Sequence, residues 1–238
     1  MIRCAFGAAT DTGRVRKANE DSYLVTPVLY AVADGMGGHG AGDVASAVAI
    51  NVLAAHARDP LSENAVLAAL DDANHAVIES PAAADMGTTV TGLAILPAPE
   101  GSQLMVFNVG DSRVYRLAGG RLDQVTVDHS AVQELVLAGA ITPEEARVHP
   151  RRNIVTRALG ASTLLRPDHW LLPANAGDRY LLCTDGLSSE LPDDAIAALL
   201  AAGTPQQAAS ALVTAANDAG GHDNVTAVVV DVAGDDPA

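Results

Sequence analysis

The chain predicts an α+β protein built in layers, not an alternating β–α–β array. Short β-prone runs follow one another with turn signals between them, and helical segments come in pairs set between groups of strands. Size is the third observation. At 238 residues, 49% of them hydrophobic, the chain is long enough to bury a sizeable core.

Ile2–Ala8, Ser22–Thr26 and Val28–Ala33 are the first β-prone runs. A helix follows over Gly42–His56, where Val44, Val48 and Val52 recur on one face. Leu67, Leu70, Val77 and Ile78 mark a second helix beside it. Thr88–Leu96 and Gln103–Val109 are apolar strands. Val114–Leu117 and Leu122–Val127 read as a hairpin, because Gly119-Gly120 lies between them. Thr142-Pro143-Glu144-Glu145 has the signature of a helix start, with a capping threonine, proline in the first turn and a capping-box glutamate. Tyr180–Cys183 and Val225–Val232 read as buried strands. Between them Thr204-Pro205-Gln206-Gln207 repeats the start signal for a helix ending near Asp218. Ser80–Ala84 and Pro97–Gly101 are surface connections within one domain, expected to span 1–238, since no internal repeat divides the chain.

Basic residues number 14 against 29 acidic ones, a net charge of −15 and a pI of about 4.6. That balance argues against nucleic acid, which calls for a basic face, and against a surface resting on anionic lipid. Aromatics are scarce, with two Phe, one Trp and four Tyr, so the core must rest on Val, Leu, Ile and Ala. Only 18% of residues are charged, which disfavours disorder. No apolar run approaches the roughly 18 residues of a membrane span, and Met1-Ile2-Arg3-Cys4 does not open a signal peptide. Cys4 and Cys183 form neither a disulfide framework nor a metal pair. A cytoplasmic, reducing setting is expected.

The informative pattern is where the aspartates fall. Val28–Ala33 runs into Asp34-Gly35, Leu104–Val109 into Gly110-Asp111, and Tyr180–Thr184 into Asp185-Gly186, while Asp223-Asn224 precedes Val225–Val232. Turn chemistry alone accounts for any one of these. Four together, at the mouths of buried-looking strands, point to carboxylates that converge. Such a cluster repels itself unless cations enter or protons bind. Hard dications, Mg²⁺ or Mn²⁺, suit oxygen ligands, and glycine lets a backbone carbonyl such as that of Gly35 serve as one. Zinc is disfavoured, since no Cys/His set has ligand spacing. Arg14-Val15-Arg16-Lys17 places positive charge beside Glu20 and Asp21. An arginine next to dications offers a fork for the oxygens of a phosphate monoester. The glycine-rich Gly35–Gly40 lacks the Lys-Ser/Thr of a nucleotide-binding P-loop.

In order along the chain stand Thr12–Ser22, Val32–Gly38, Gly87-Thr88-Thr89, Asn108–Arg113, Thr126–Ser130, Thr156–Gly160, Cys183–Leu187 and Gly221–Thr226. Together they resemble the metal-dependent protein phosphatases, the PPM or type 2C serine/threonine family, and most of all its compact bacterial branch, whose members often oppose Ser/Thr kinases. Any one segment is weak; eight in family order, spanning nearly the whole chain, are specific.

The resemblance implies an αββα sandwich of two antiparallel sheets flanked by helix pairs. It implies hydrolysis of phosphoserine and phosphothreonine by a metal-activated water, without a covalent phosphoenzyme. Asp34 would bridge two Mn²⁺ or Mg²⁺ ions, Asp185 and Asp223 would bind the first, and the Gly35 carbonyl the second. Glu20 and Asp21 would act through water or from behind the ligands. Asp111, with Asp185, would serve a weaker third ion, and Arg16 would bind the substrate phosphate. Residues from about Ser130 to Asn153 would form a mobile flap carrying Gln133, Glu134 and Arg147. Phosphorylated proteins, and a kinase that makes them, are the implied partners of a free cytoplasmic monomer. One position departs from the pattern. Many eukaryotic members carry a histidine after the Asp-Gly pair, proposed as general acid, where this chain has Met36. Metal-bound water, then His39, are the candidates for that role. The rival readings are a phosphatase serving a partner switch, a catalytically silent module of the same fold, and a divalent-ion-binding protein without phosphate chemistry. The full carboxylate set speaks against the second, and Arg16 with the Gly110–Arg113 segment against the third.

Overall fold

The computed structural model describes residues 2–37, 41–80, 86–99 and 101–234. Its elements run β1 (Arg3–Asp11), β2 (Asp21–Val25), β3 (Leu29–Gly37), α1 (Gly42–His56), α2 (Glu63–Ile78), β4 (Met86–Thr88), β5 (Val90–Ala98), β6 (Gly101–Val109), β7 (Arg113–Ala118) and β8 (Arg121–Gln124). They continue as α3 (Ala131–Leu137), α4 (Pro143–Arg147), β9 (Asp168–Pro173), β10 (Arg179–Cys183), α5 (Asp185–Ser188), α6 (Asp193–Leu200), α7 (Pro205–Ala219) and β11 (Val225–Ala233). One sheet has the order β1-β11-β10-β7-β8, the other β2-β3-β5-β6-β9 with β4 added beside β3. Every named pairing is antiparallel.

The central strands β3, β5, β6, β10 and β11 are apolar on both faces because both faces are buried. Tyr30, Val32, Leu93 and Leu104 of one sheet meet Val114, Tyr180, Leu182 and Val228 of the other in a central layer. The alternate residues of the same strands face outward onto helices. Leu29, Ala31 and Ala33 pack under α1 and α2, while Leu181, Cys183, Ala227 and Val229 pack under α5, α6 and α7. This is the expected αββα sandwich. The thiols of Cys4 and Cys183 are free.

Helix starts are where the sequence signals put them. Thr142 and Thr204 form complete capping boxes with Glu145 and Gln207. In α1 the helix is as expected but the buried stripe is not the valine one. Ala45, Ala49, Ile50 and Leu53 face the sheet, and Val44 lies exposed. Small side chains let the helix close onto Ala31 and Ala33, so the valines flank the contact. The Leu122–Val127 strand stops at Gln124, because side chains take over as partners. Thr126 Oγ1 accepts from Val114 N–H (3.1 Å), and Asn108 Nδ2 donates to the Val127 carbonyl (3.2 Å). β4, β9, α3, α5 and α6 are additional to the expected elements, although Ser130 caps α3 by accepting from Gln133 N–H and Asp193-Asp194 open α6. Edge strand β9 half-buries alternate residues and opens with Asp168-His169, so it lacks an apolar run. Among the described residues no helix is long and apolar enough to cross a membrane.

Candidate metal centre

The strand ends bring the carboxylates to one edge of the sandwich, across the seam between the sheets. Asp21 opens β2 directly opposite Asp34 on β3. Asp111 follows β6, Asp185 opens α5 just after β10, and Asp223 lies two residues before β11. Thus Asp21 and Asp34 come from one sheet, Asp185 and Asp223 from the other, and Asp111 from the turn that joins β6 of the first to β7 of the second.

Backbone contacts fix these positions. Thr88 Oγ1 donates to the Asp34 carbonyl (2.9 Å), Thr89 Oγ1 accepts from Asp34 N–H (3.0 Å), and Ser112 Oγ joins Thr89 Oγ1 (2.8 Å). Gly35 is required by crowding. A Cβ there would lie 2.0 Å from the Gly42 carbonyl oxygen and 2.6 Å from that of Glu20. Gly186 is crowded likewise, its Cβ position falling 2.0 Å from the Asn224 carbonyl oxygen. Asn224 in turn binds the loop that carries Arg16. Its Oδ1 accepts from Glu20 N–H (2.8 Å), and its Nδ2 donates to the carbonyls of Thr12 and Ala18 (2.9 Å each).

Asp21, Asp34 and Asp185 are half-buried residues whose carboxyl groups are surrounded by protein on most sides. Asp21 Oδ2 accepts from Thr184 Oγ1 (2.8 Å) and Thr226 Oγ1 (2.7 Å), both on the opposite sheet. Its Oδ1, like Asp185 Oδ1, is buried without a hydrogen-bond partner among the described residues. Burial, and then the charges of Asp185, Asp21 and Asp111, hold the Asp34 carboxyl well above the usual range. Asp185 is raised by burial and by Asp223, while its hydrogen bond with Asp34 works the other way. Burial pushes Asp21 up to about 7 against its two threonine bonds. Burial likewise pushes Asp111 up to about 8, with Asp185 and Asp128 adding to it. Arg16 is held in its charged form by a 2.6 Å hydrogen bond from Nη2 to Asp223 Oδ2.

The structure therefore brings together Asp34, Asp185, Asp223, Asp21, Asp111 and Arg16. Glu20 stands at their margin with its carboxylate against Gly42, at the start of α1. Met36 lies on β3 beside them, and His39 falls outside the described residues. Among the described residues no three carboxylates, imidazoles or thiolates are drawn tightly enough around one point to grip an ion unaided. What suits dications is the donor set, all oxygen, with two buried orphaned carboxylate oxygens and mutual repulsion that a cation would relieve. Sequence reasoning assigned no role to Thr184, Thr226, Asn224, Thr89 or Ser112. Each lies within or beside a quoted segment, but its task of holding an aspartate or its loop depends on contacts across the sheets.

The protein phosphatase 2C family model matches residues 17–215. The serine/threonine protein phosphatase PstP of Mycobacterium tuberculosis is 45% identical over 235 residues, covering 95% of this chain. The chain spans only 45% of that relative's length. The serine/threonine phosphatase stp of Listeria monocytogenes is 38% identical over 243 residues, with 93% of each chain covered. Among solved structures, the catalytic domain of PstP in complex with two manganese ions superposes with a TM-score of 0.87 at 40% identity, covering 98% of this chain and 100% of that one. With the αββα sandwich, the carboxylates at its edge and a family match over most of its length, this chain belongs to the protein phosphatase 2C family.

Proposed function

We propose that the chain is a metal-dependent serine/threonine phosphoprotein phosphatase. The observation that carries this reading is the convergence of Asp34, Asp185 and Asp223 from two sheets, with Arg16 reaching into the same cluster. Asp34, Asp185 and Asp223, with the Gly35 carbonyl, would hold two Mn²⁺ or Mg²⁺ ions; Asp111 with Asp185 would hold a weaker third. Two ions of this kind supply a water nucleophile at neutral pH and neutralise phosphoryl oxygens. The manganese-bound PstP structure supports two Mn²⁺ ions, and the buried orphaned oxygens of this chain support the need for cations.

Arg16 binds and orients the phosphate in this reading. It lies at the rim, and its guanidinium already pairs with a carboxylate of the cluster, so a phosphoryl group arriving there meets a charged fork. Asp21 is held by Thr184 and Thr226 behind the cluster, and Glu20 beside α1; both act through water or as supports. Met36 has no proton to give at the usual histidine position, so the leaving alkoxide takes its proton from water. Residues 130–153 form the flap. It walls one side of a cavity of about 370 Å³ whose other side is Asp111, Arg113 and Asp185. We place the enzyme in the cytoplasm as a monomer acting on proteins phosphorylated by a Ser/Thr kinase.

The test is hydrolysis of a phosphothreonine peptide by purified protein with Mn²⁺, with Mg²⁺ and with EDTA. Turnover that requires the dication is expected. A folded, Mn²⁺-loaded protein that releases no phosphate from any phosphopeptide would overturn the reading in favour of a silent module.

A further inference from the structure

The segment 131–158 contains a single buried residue, Val132, although it carries α3 and α4. No residue of α4 is buried. A segment with so little core of its own cannot fix its pose by packing. Its pose must be set where it is rooted, and both roots meet at His129.

His129 is buried, and each of its polar groups is used. The backbone N–H donates to the Gly110 carbonyl (2.9 Å), and the carbonyl accepts from Thr156 N–H (2.8 Å). The next residue, Ser130, bridges to Val155, and Ala131 N–H donates to the Ile154 carbonyl (2.8 Å). The imidazole repeats this pattern. Nδ1 lies 3.1 Å from the Gly110 backbone nitrogen, whose N–H is the donor. Nδ1 is therefore the unprotonated nitrogen, and the ring proton sits on Nε2, which faces Asp168 Oδ2 at 3.1 Å, with Arg157 Nη1 also 3.2 Å away but unable to donate to a protonated nitrogen. Asp168 Oδ1 accepts from Arg157 Nη1 (3.0 Å), just beyond the far root. Although burial works against it, the hydrogen bond from His129 and the charge and hydrogen bond of Arg157 hold the Asp168 carboxyl below its usual range.

The turn that receives His129 is rigid. Gly110 has φ +113°, and a Cβ there would lie 2.6 Å from the Thr89 side chain. The His129 ring thus ties a fixed turn beside Asp111 to both ends of a segment that lacks internal anchorage.

We propose that His129 is a positioning residue that sets the flap over the cavity beside the phosphatase site, and so tunes capture of protein substrates. The proposal rests on the phosphatase reading. It concerns the hold on a peptide reaching the flap, not the chemistry at phosphorus. A phosphopeptide long enough to touch Gln133 or Arg147 in the cavity wall feels the flap's pose; a small aryl phosphate does not.

The two ring nitrogens can be tested apart. His129→Asn leaves an amide oxygen near the place of Nδ1 to accept from Gly110, and gives up the link to Asp168. His129→Gln carries its amide toward Asp168 and gives up the Gly110 acceptor. Amide hydrogen exchange of the Mn²⁺-loaded protein, and kinetics with a phosphothreonine peptide and with p-nitrophenyl phosphate, are the readouts. Both variants are expected to exchange faster within 131–155 only. Each should raise KM for the peptide by about tenfold, as loss of one neutral hydrogen bond allows. kcat for the peptide, and kcat/KM for p-nitrophenyl phosphate, should stay within about twofold, well below the tenfold expected for one such bond. Unchanged flap exchange in both variants would overturn the proposal. So would faster exchange spread through both sheets, or equal losses on the two substrates, either of which makes His129 a general packing residue. Should the unaltered protein hydrolyse neither substrate, the phosphatase reading fails, while the exchange data still decide whether His129 clamps 131–155.

Discussion

Asp21→Asn is expected to stabilise the metal-free protein by an amount that grows with pH. Among the described residues the Asp21 Oδ1 has no partner, the carboxylates of Asp185 and Asp223 lie near it, and burial holds its carboxyl at about 7 in place of the usual 3.8. A native-state pKa raised in this way means that the folded chain binds the proton more tightly than the unfolded one. The stabilisation is complete below the unfolded value near 4 and is lost as pH rises through about 7. Between pH 5 and pH 7 the loss runs at about 1.4 kcal/mol per pH unit, so the aspartate protein gives up about 2–3 kcal/mol by pH 8. Asparagine does not titrate, and its amide oxygen still accepts from Thr184 and Thr226. The variant's advantage over the parent should therefore widen by about 2–3 kcal/mol from pH 5 to pH 8, or about 5–10 °C in Tm at this chain length. The assay is thermal or urea denaturation of EDTA-treated parent and variant at both pH values. Saturating Mn²⁺ should shrink the gap, because bound cations replace protons as the charge that relieves the cluster. A difference that stays constant across pH, or a variant less stable at pH 8, would refute the argument that Asp21 is held ionised at a cost.

Other substitutions separate the roles within the cluster. Asp185→Ala should cut turnover at saturating Mn²⁺ by at least about a hundredfold, on the scale of losing a principal transition-state contact, while circular dichroism stays native. Arg16→Ala should act mainly on KM for a phosphopeptide, raising it by about ten- to a hundredfold, as expected for charged hydrogen bonds worth about 1.5–3 kcal/mol. Gly35→Ala must displace the Gly42 or Glu20 carbonyl, which its Cβ would approach to 2.0 and 2.6 Å. A loss of about 1–3 kcal/mol in denaturation, together with weaker Mn²⁺ binding by calorimetry, is expected from that overpacking.

Much of this was legible in the residues. The apolar strands ending in Asp-Gly announced a charged edge, because a strand buried on two faces must be apolar throughout and only its end can carry a charge; the αββα arrangement itself followed from the family resemblance of the eight segments. The capping sequences at Thr142 and Thr204 are local chemistry and formed as read. What local sequence could not yield are the contacts made across the fold. Thr184 and Thr226 are ordinary strand-end threonines until the second sheet presents Asp21 to them. β9 half-buries Trp170 and Leu172 only because β6 lies beside it, and nothing in Asp168–Pro173 announces that neighbour. The alanine stripe of α1 was outweighed on a hydropathy reading by larger valines, although a close helix–sheet contact favours the smaller residue.

The division of the cluster between two sheets has a consequence for packing. Asp34 is fixed by one sheet and Asp185 and Asp223 by the ends of strands in the other, so the spacing among them depends on the layer between the sheets. Leu93 is fully buried in that layer, on the sheet that carries Asp34. Leu200 is equally buried, but between α6 and the outer face of the other sheet. Truncating either to alanine should cost about 2–5 kcal/mol, since each opens a cavity of the same chemistry. Only Leu93→Ala lets one sheet settle against the other, so only it should also weaken Mn²⁺ binding severalfold in a calorimetric titration. Denaturation curves put the two variants on a common stability scale, and the titration then compares them at equal loss. If both weaken Mn²⁺ alike, affinity follows global stability and the inter-sheet layer has no separate hold on the site. If Leu93→Ala alone does so, the core between the sheets is part of the metal centre's geometry.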